Sequence, residues 1–164
     1  IGVLRERLMS KRFTVRLMEH RDAPLVASLL VLYISKSKYA SRTLSAEKLP
    51  MTIFNVIELD HNLGLVVDDE HGVGRGAFLG GMFSNPLFDG DDALEYGFAL
   101  DPKMREHTRE ATKAVIGAFE DWAREKGAME VKYTIGSGIP GKTLESIFDE
   151  VGYERFGYCA RKEL

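Results

Sequence analysis

The chain has 164 residues, 45% of them hydrophobic and 29% charged, with a formal net charge of −3. That length suits one domain able to bury an ordinary core without disulfides or metal, and the balance excludes a disordered chain and lends no support to a nucleic-acid footprint. The longest apolar run, residues 23–34, is too short to cross a bilayer and reads as a buried helix face, so no membrane partner is expected and a cytoplasmic location fits best.

Residues 1–12 form a short amphipathic lead-in. The alternation FTVRL at 13–17 predicts a strand, and Asp22 with Pro24 marks the cap and first turn of a helix reaching about residue 37. Ser45, Lys48 and Leu49 open a second helix that ends before Asp60. Residues 63–67 and 77–83 read as the strands of a hairpin around the Asp- and Gly-rich turn at 68–76, and 93–100 reads as a further strand. A long helix follows, closing near Lys126 and Gly127. Residues 129–135 predict a strand, 142–151 a helix, and 157–160 a last strand that holds Cys159 as a small buried hydrophobe. The order β-α-α-β-β-β-α-β-α-β predicts a single α/β (α+β) domain over residues 1–164, with a mixed, mainly antiparallel central sheet flanked by helices.

One short motif points elsewhere. GSGIPGKT at 136–143 satisfies the phosphate-loop pattern G-x-x-x-x-G-K-[ST], and LVVDDE at 65–70 has the look of the strand that carries the Mg²⁺-binding acid. Their order defeats a nucleotide hydrolase, because only 21 residues follow Thr143 and the acidic strand lies upstream in an antiparallel hairpin. The motif is better read as a strand-to-helix connection. The four histidines, His20, His61, His71 and His107, have no ligand spacing, and the lone Cys159 offers no metal site, so surface histidines and no metal are expected.

Three stretches carry a family likeness: LEYGFALDP at 94–102, AVIGAFEDWAREKGA at 114–128 and LESIFDEVGYERFGYCARKEL at 144–164. Together they resemble the GNAT family of N-acetyltransferases, whose fourth strand, long central helix, closing helix and last strand come in this order. The resemblance implies transfer of an acetyl or acyl group from acetyl-CoA to the amine of a small molecule or protein, with a homodimer as an open arrangement. It also implies a pantetheine arm paired to the backbone of Phe98, Ala99 and Leu100, and a pyrophosphate on the N–H groups that start the central helix.

The chain departs from the family's [QR]-x-x-G-x-[GA] loop there. Counting forward from Pro102 puts Arg105 first, with Thr108 and Glu110 at the small-residue places; counting back from Trp122 puts His107 first, with Glu110 and Thr112 at those places. A glutamate replaces a glycine either way, while Arg105, Arg109 and their basic neighbours keep the local charge favourable to an anion. On the alternative reading, one unbroken helix runs from Pro102 to Lys126 and leaves no loop. The family's acidic tyrosine falls on Phe148, which has no hydroxyl. Glu95 is the candidate general base, against a reading as a solvent-facing strand residue, and alternation sets Tyr96 on the opposite face. Lys142 and the backbone of 136–138 are a substitute contact for the coenzyme. A second function remains open: a GNAT-like domain without coenzyme binding that acts in binding or assembly.

Overall fold

A computed structural model of the chain describes residues 9–10, 12–84, 86–87, 89–104, 106–134 and 142–155. The elements run β1 (Met9–Ser10), β2 (Phe13–Leu17), α1 (Ala23–Ser35), α2 (Lys48–Glu58), β3 (Asn62–Asp69), β4 (Gly74–Ser84), β5 (Asp91–Leu100), α3 (Thr108–Glu125), β6 (Val131–Lys132) and α4 (Lys142–Glu150). The predicted strand at 157–160, Cys159, Arg105 and the 136–141 portion of GSGIPGKT lie outside the described residues. The mixed α/β architecture with a mainly antiparallel sheet is as expected.

The six strands lie in the order β1-β2-β3-β4-β5-β6, and every neighbouring pair is antiparallel except β5–β6. That parallel pair needs a crossover, which α3 supplies. Helices cover both faces, so the central strands are apolar on both sides. On one face Leu63, Leu65, Val67 and Phe78 pack under Val115, Phe119 and Trp122 of α3. On the other, Val66, Ala77 and Leu79 meet Val26, Leu29 and Leu30 of α1 with Ile53 and Val56 of α2.

Three expectations need correction. Helix α1 is not buried along its whole apolar run: Val31 and Leu32 keep 44% and 41% of their surface, because only one face of its last turns meets the sheet. Asp22 does not cap α1 with its side chain; its carboxylate takes two bonds from Arg16, at 2.7 and 2.8 Å, and one from the Glu19 N–H at 2.8 Å. The hairpin turn is also shorter than 68–76. Asp68 is held by Arg16 Nε at 2.6 Å and Asp69 by Arg75 Nε at 2.9 Å, so both acids stay in β3, and Gly72 at φ 73° closes the turn.

Arg16 thus ties β2, β3 and the entry to α1 through two nearly buried carboxylates, and it holds Asp22 below the usual carboxylate range. Arg16→Ala leaves both acids without their cation and is expected to cost about 2–4 kcal/mol in urea unfolding at neutral pH. A loss under about 0.5 kcal/mol, the usual size for a surface substitution, would show the network to be dispensable.

Candidate active site

The site forms where the sheet opens. Among the described residues strands β5 and β6 pair only through Ala93↔Val131 and Leu94↔Lys132, with bonds from Ala93 N–H to Glu130 O at 2.8 Å and from Met129 N–H to Asp91 O at 2.8 Å. Of the expected 129–135 strand, the described residues form only Val131–Lys132. Lys132 reinforces the paired end by binding Asp92 at 2.6 Å. In a continued parallel ladder the Thr134 N–H would bond the backbone carbonyl of Glu95; among the described residues no pairing follows Leu94↔Lys132, and the two strands part.

On its other edge β5 keeps full pairing with β4, through Phe98↔Phe78, Ala99↔Ala77 and Leu100↔Gly76. The register skips one residue there, since Leu79 faces Gly97 while Gly80 faces Glu95, so Tyr96 is the extra residue of a β-bulge. Strict alternation across 95 and 96 is broken. The Met82 N–H goes to His61 O, away from β5, which fixes the parity of the ladder: Ala77 and Leu79 serve β5, and the N–H and C=O of Phe98 and Leu100, without a partner among the described residues, point into the opening. Ala99 spends its own groups on Ala77.

Glu95 is half-buried on the α3 side of the sheet, opposite Gly80, where a Cβ would stand 2.9 Å from the Phe119 ring. Burial pushes its carboxyl up to about 7, and the Thr134 N–H moderates the rise. Glu95 is therefore not an exposed strand residue. Tyr96 lies across Gly81, where a Cβ would come within 2.5 Å of its hydroxyl, and half of its surface is exposed.

Below the opening the chain leaves β5 through Asp101, whose N–H binds Arg75 O at 2.6 Å and whose carboxylate accepts from the Lys103 N–H at 2.9 Å and Arg75 at 3.3 Å. A single 3-10 turn, Pro102–Met104, follows, and α3 begins only at Thr108. The unbroken helix from Pro102 is therefore not formed, and a loop ends at a helix N-terminus as the other reading required. His107 occupies the N-cap position without a side-chain cap bond, which leaves the first-turn N–H groups at Thr108, Arg109 and Glu110 with no side-chain acceptor from it. Its Nδ1 is buried and has no partner among the described residues, so His107 is not the surface histidine expected. The Thr108 hydroxyl binds Met104 O at 3.0 Å. Arg109 reaches the other way, to Glu150 and to Ser146 at 3.4 Å on α4, and Lys113 joins it on Glu150.

Phe148 is buried against Tyr133 and Tyr153, with ring centroids 4.9 and 5.3 Å apart. The hydroxyls of both tyrosines are buried with no hydrogen-bond partner among the described residues, and burial raises both well above the usual range. Sequence reasoning missed Tyr133; its signal was one residue, a tyrosine next to Thr134 in the strand that faces Glu95. No group of three or more His, Cys, Asp or Glu suited to a metal occurs among the described residues, and no described helix is long and apolar enough to cross a membrane.

The sequence matches no protein-family model and no curated protein. Solved structures do match. One is the acetyltransferase AAC(6')-Iy in complex with the bisubstrate analogue CoA-S-monomethyl-acetylneamine, at 15% identity and TM-score 0.69, over 93% of this chain and 99% of that one. The chain has the GNAT fold. Two further GNAT-fold neighbours are a ribosomal-protein-alanine N-acetyltransferase from Brucella melitensis biovar Abortus 2308, at 15% identity and TM-score 0.64 over 92% and 99% of the two chains, and a glucosamine-6-phosphate N-acetyltransferase from Arabidopsis thaliana, at 14% and 0.67 over 92% and 97%. At such identities the likeness is one of architecture.

The raised Glu95 carboxyl carries a stability consequence for this GNAT-fold domain. Because its folded pKa of about 7 exceeds the ordinary 4.5, folding favours the protonated form; that stabilisation is complete below pH 4.5, is lost as pH rises to about 7, and stays lost above. Glu95→Gln removes the loss. The variant is expected to gain about 1–3 kcal/mol over the parent at pH 8 and little at pH 4.5, by urea unfolding at both pH values. Equal differences at the two pH values would contradict the buried carboxyl.

Proposed function

We propose that this chain is an N-acyltransferase that moves an acetyl or related acyl group from a coenzyme A thioester to an amine. The observation that carries the reading is the opening between β5 and β6, with a carboxyl of pKa about 7 at its apex and a helix N-terminus at its base. Acetyl-CoA supplies an activated acyl group when bound. The edge N–H and C=O groups of Phe98 and Leu100 would hold its extended arm as a further strand would, with Ala99 keeping β5 in place. The first-turn N–H groups of Thr108 and Arg109, with His107 and the neighbouring Arg105, would hold its pyrophosphate, since a helix N-terminus offers unpaired donors and partial positive charge. Lys142, the first residue of α4, is the substitute basic contact.

Glu95 is the proposed general base. A carboxyl with pKa near the working pH takes a proton from an ammonium acceptor while holding enough of its anion to do so.

A second reading has its own support. Glu110 stands exposed in the first turn of α3, where a pyrophosphate needs no carboxylate, and Phe148 carries no hydroxyl. Both features suit a GNAT-like domain that binds or assembles without transfer.

Acetyl transfer to a panel of primary amines, followed by thiol release, tests the choice. The parent rate is expected to rise with pH through an inflection near 7, and Glu95→Gln to lower kcat/KM about 100-fold and abolish that inflection. A variant that keeps the rate and the inflection removes Glu95 from the reaction.

A further inference from the structure

The segment 36–47 that joins α1 to α2 holds Lys36, Lys38 and Arg42 with no acid before Glu47, and Lys48 follows at once. Residues 36–48 carry a charge of +3, so the rest of the chain carries −6. Elsewhere lysines and arginines are mostly spent on carboxylates: Arg16, Arg75, Lys113 and Lys132 each have two acidic partners or share one with a neighbour. Lys36, Lys38, Arg42 and Lys48 have no carboxylate in ion-pair range among the described residues.

These cations sit on a built turn. Ser37 is buried, with its hydroxyl donating to Ile34 O at 2.8 Å and accepting from the Tyr39 N–H at 3.1 Å; Ala40 N–H binds Ser37 O and Arg42 N–H binds Tyr39 O. Lys38 and Arg42 both lie over the Tyr39 ring, at 5.1 and 5.3 Å from its centroid. The two charges are thereby held together despite their repulsion.

The packing of α1 fixes where the turn stands. Leu25 reaches the Gly74 end of β4 and Leu30 reaches Gly97 of β5, so α1 climbs along β4 and runs against β5. Lys36 lies six residues beyond Leu30, about 9 Å at the helical rise, which is roughly three strand residues past Gly97. That is the level of Leu94, the last residue of β5 paired to β6 and the neighbour of Glu95 at the apex of the opening. A basic turn at that height, on the α1 face, stands beside the entry for the group that receives the acyl unit.

We propose that this turn is the anion-recognition part of the acceptor site, so that the preferred acceptor is a small amine whose own skeleton carries a phosphate or carboxylate, bound by Lys38 and Arg42 beside Tyr39. The proposal rests on the transferase reading and narrows its substrate class. Simple cationic or neutral amines lack the group that the turn binds.

The test uses the full chain saturated with coenzyme A. O-phosphoethanolamine, β-alanine and ethanolamine are titrated in turn while the backbone amides of residues 36–43 are followed by NMR, and the same three amines are compared as acceptors with acetyl-CoA. The two anionic amines are expected to shift those amides and to be preferred over ethanolamine, phosphate over carboxylate if the doubly charged group is read, and the preference to shrink at high salt. The Lys38→Ala, Arg42→Ala double variant is expected to raise KM for the anionic amines about tenfold with kcat and the coenzyme A Kd unchanged. Amide shifts equal for ethanolamine, no shift with either anionic amine, or an unchanged KM in the double variant would each overturn the proposal. Failure to bind coenzyme A at all would instead remove the transferase reading, a separate result.

Discussion

Among the described residues β5 and β6 pair in parallel at two positions and no further, and the rest of the site depends on that constraint. Had the ladder continued, Thr134 would bond the β5 backbone and the Phe98 and Leu100 edge would be covered. Beyond Leu94 the Tyr96 bulge resets the ladder, so that Phe98 and Leu100 turn their backbone groups toward that edge. The two devices act together: the bulge sets which groups of β5 face the edge, and the α3 side of the sheet desolvates the Glu95 carboxyl beside them.

The opening needs rigid flanks, and two arginines supply them. Arg16 fastens β2, β3 and the start of α1 through Asp22 and Asp68; Arg75 fastens the β3–β4 turn to the end of β5 through Asp69 and Asp101. The second pair sets the direction in which the chain leaves β5, and hence where α3 begins. It also accounts for LVVDDE. Asp68 and Asp69 look like metal-binding acids in sequence, but in the fold each is neutralised by an arginine within an antiparallel hairpin, which leaves nothing for Mg²⁺ to claim.

Much of the architecture was legible because local pattern and tertiary placement agree. FTVRL, the 63–83 hairpin and the Gly127 stop, with φ 78°, follow from alternation and from the conformational freedom of glycine. The site was only half legible. Glu95 was visible as an acid on the strand of the family likeness, yet its burial depends on the α3 side of the sheet, which is assembled from residues far along the chain. The bulge at Tyr96 left no sequence mark. The helix start was ambiguous because Asp101-Pro102 is a good opening signal; the chain obeys it for one 3-10 turn, after which Asp101 is held by Arg75 and the helix restarts at Thr108. Phe148 was read correctly as lacking a hydroxyl, but which hydroxyls stand next to it could not be read from spacing. Of GSGIPGKT only its last two residues are described, and Lys142 is the first residue of α4.

The account stands on the claim that the divergent edge of β5 and the bare start of α3 together bind a coenzyme A thioester. Calorimetric titration of the full chain with acetyl-CoA at low salt tests it most directly. Saturable one-to-one binding in the micromolar range, weakened as salt is raised, is the predicted result. No heat of binding and no shift in melting temperature at millimolar acetyl-CoA would contradict it.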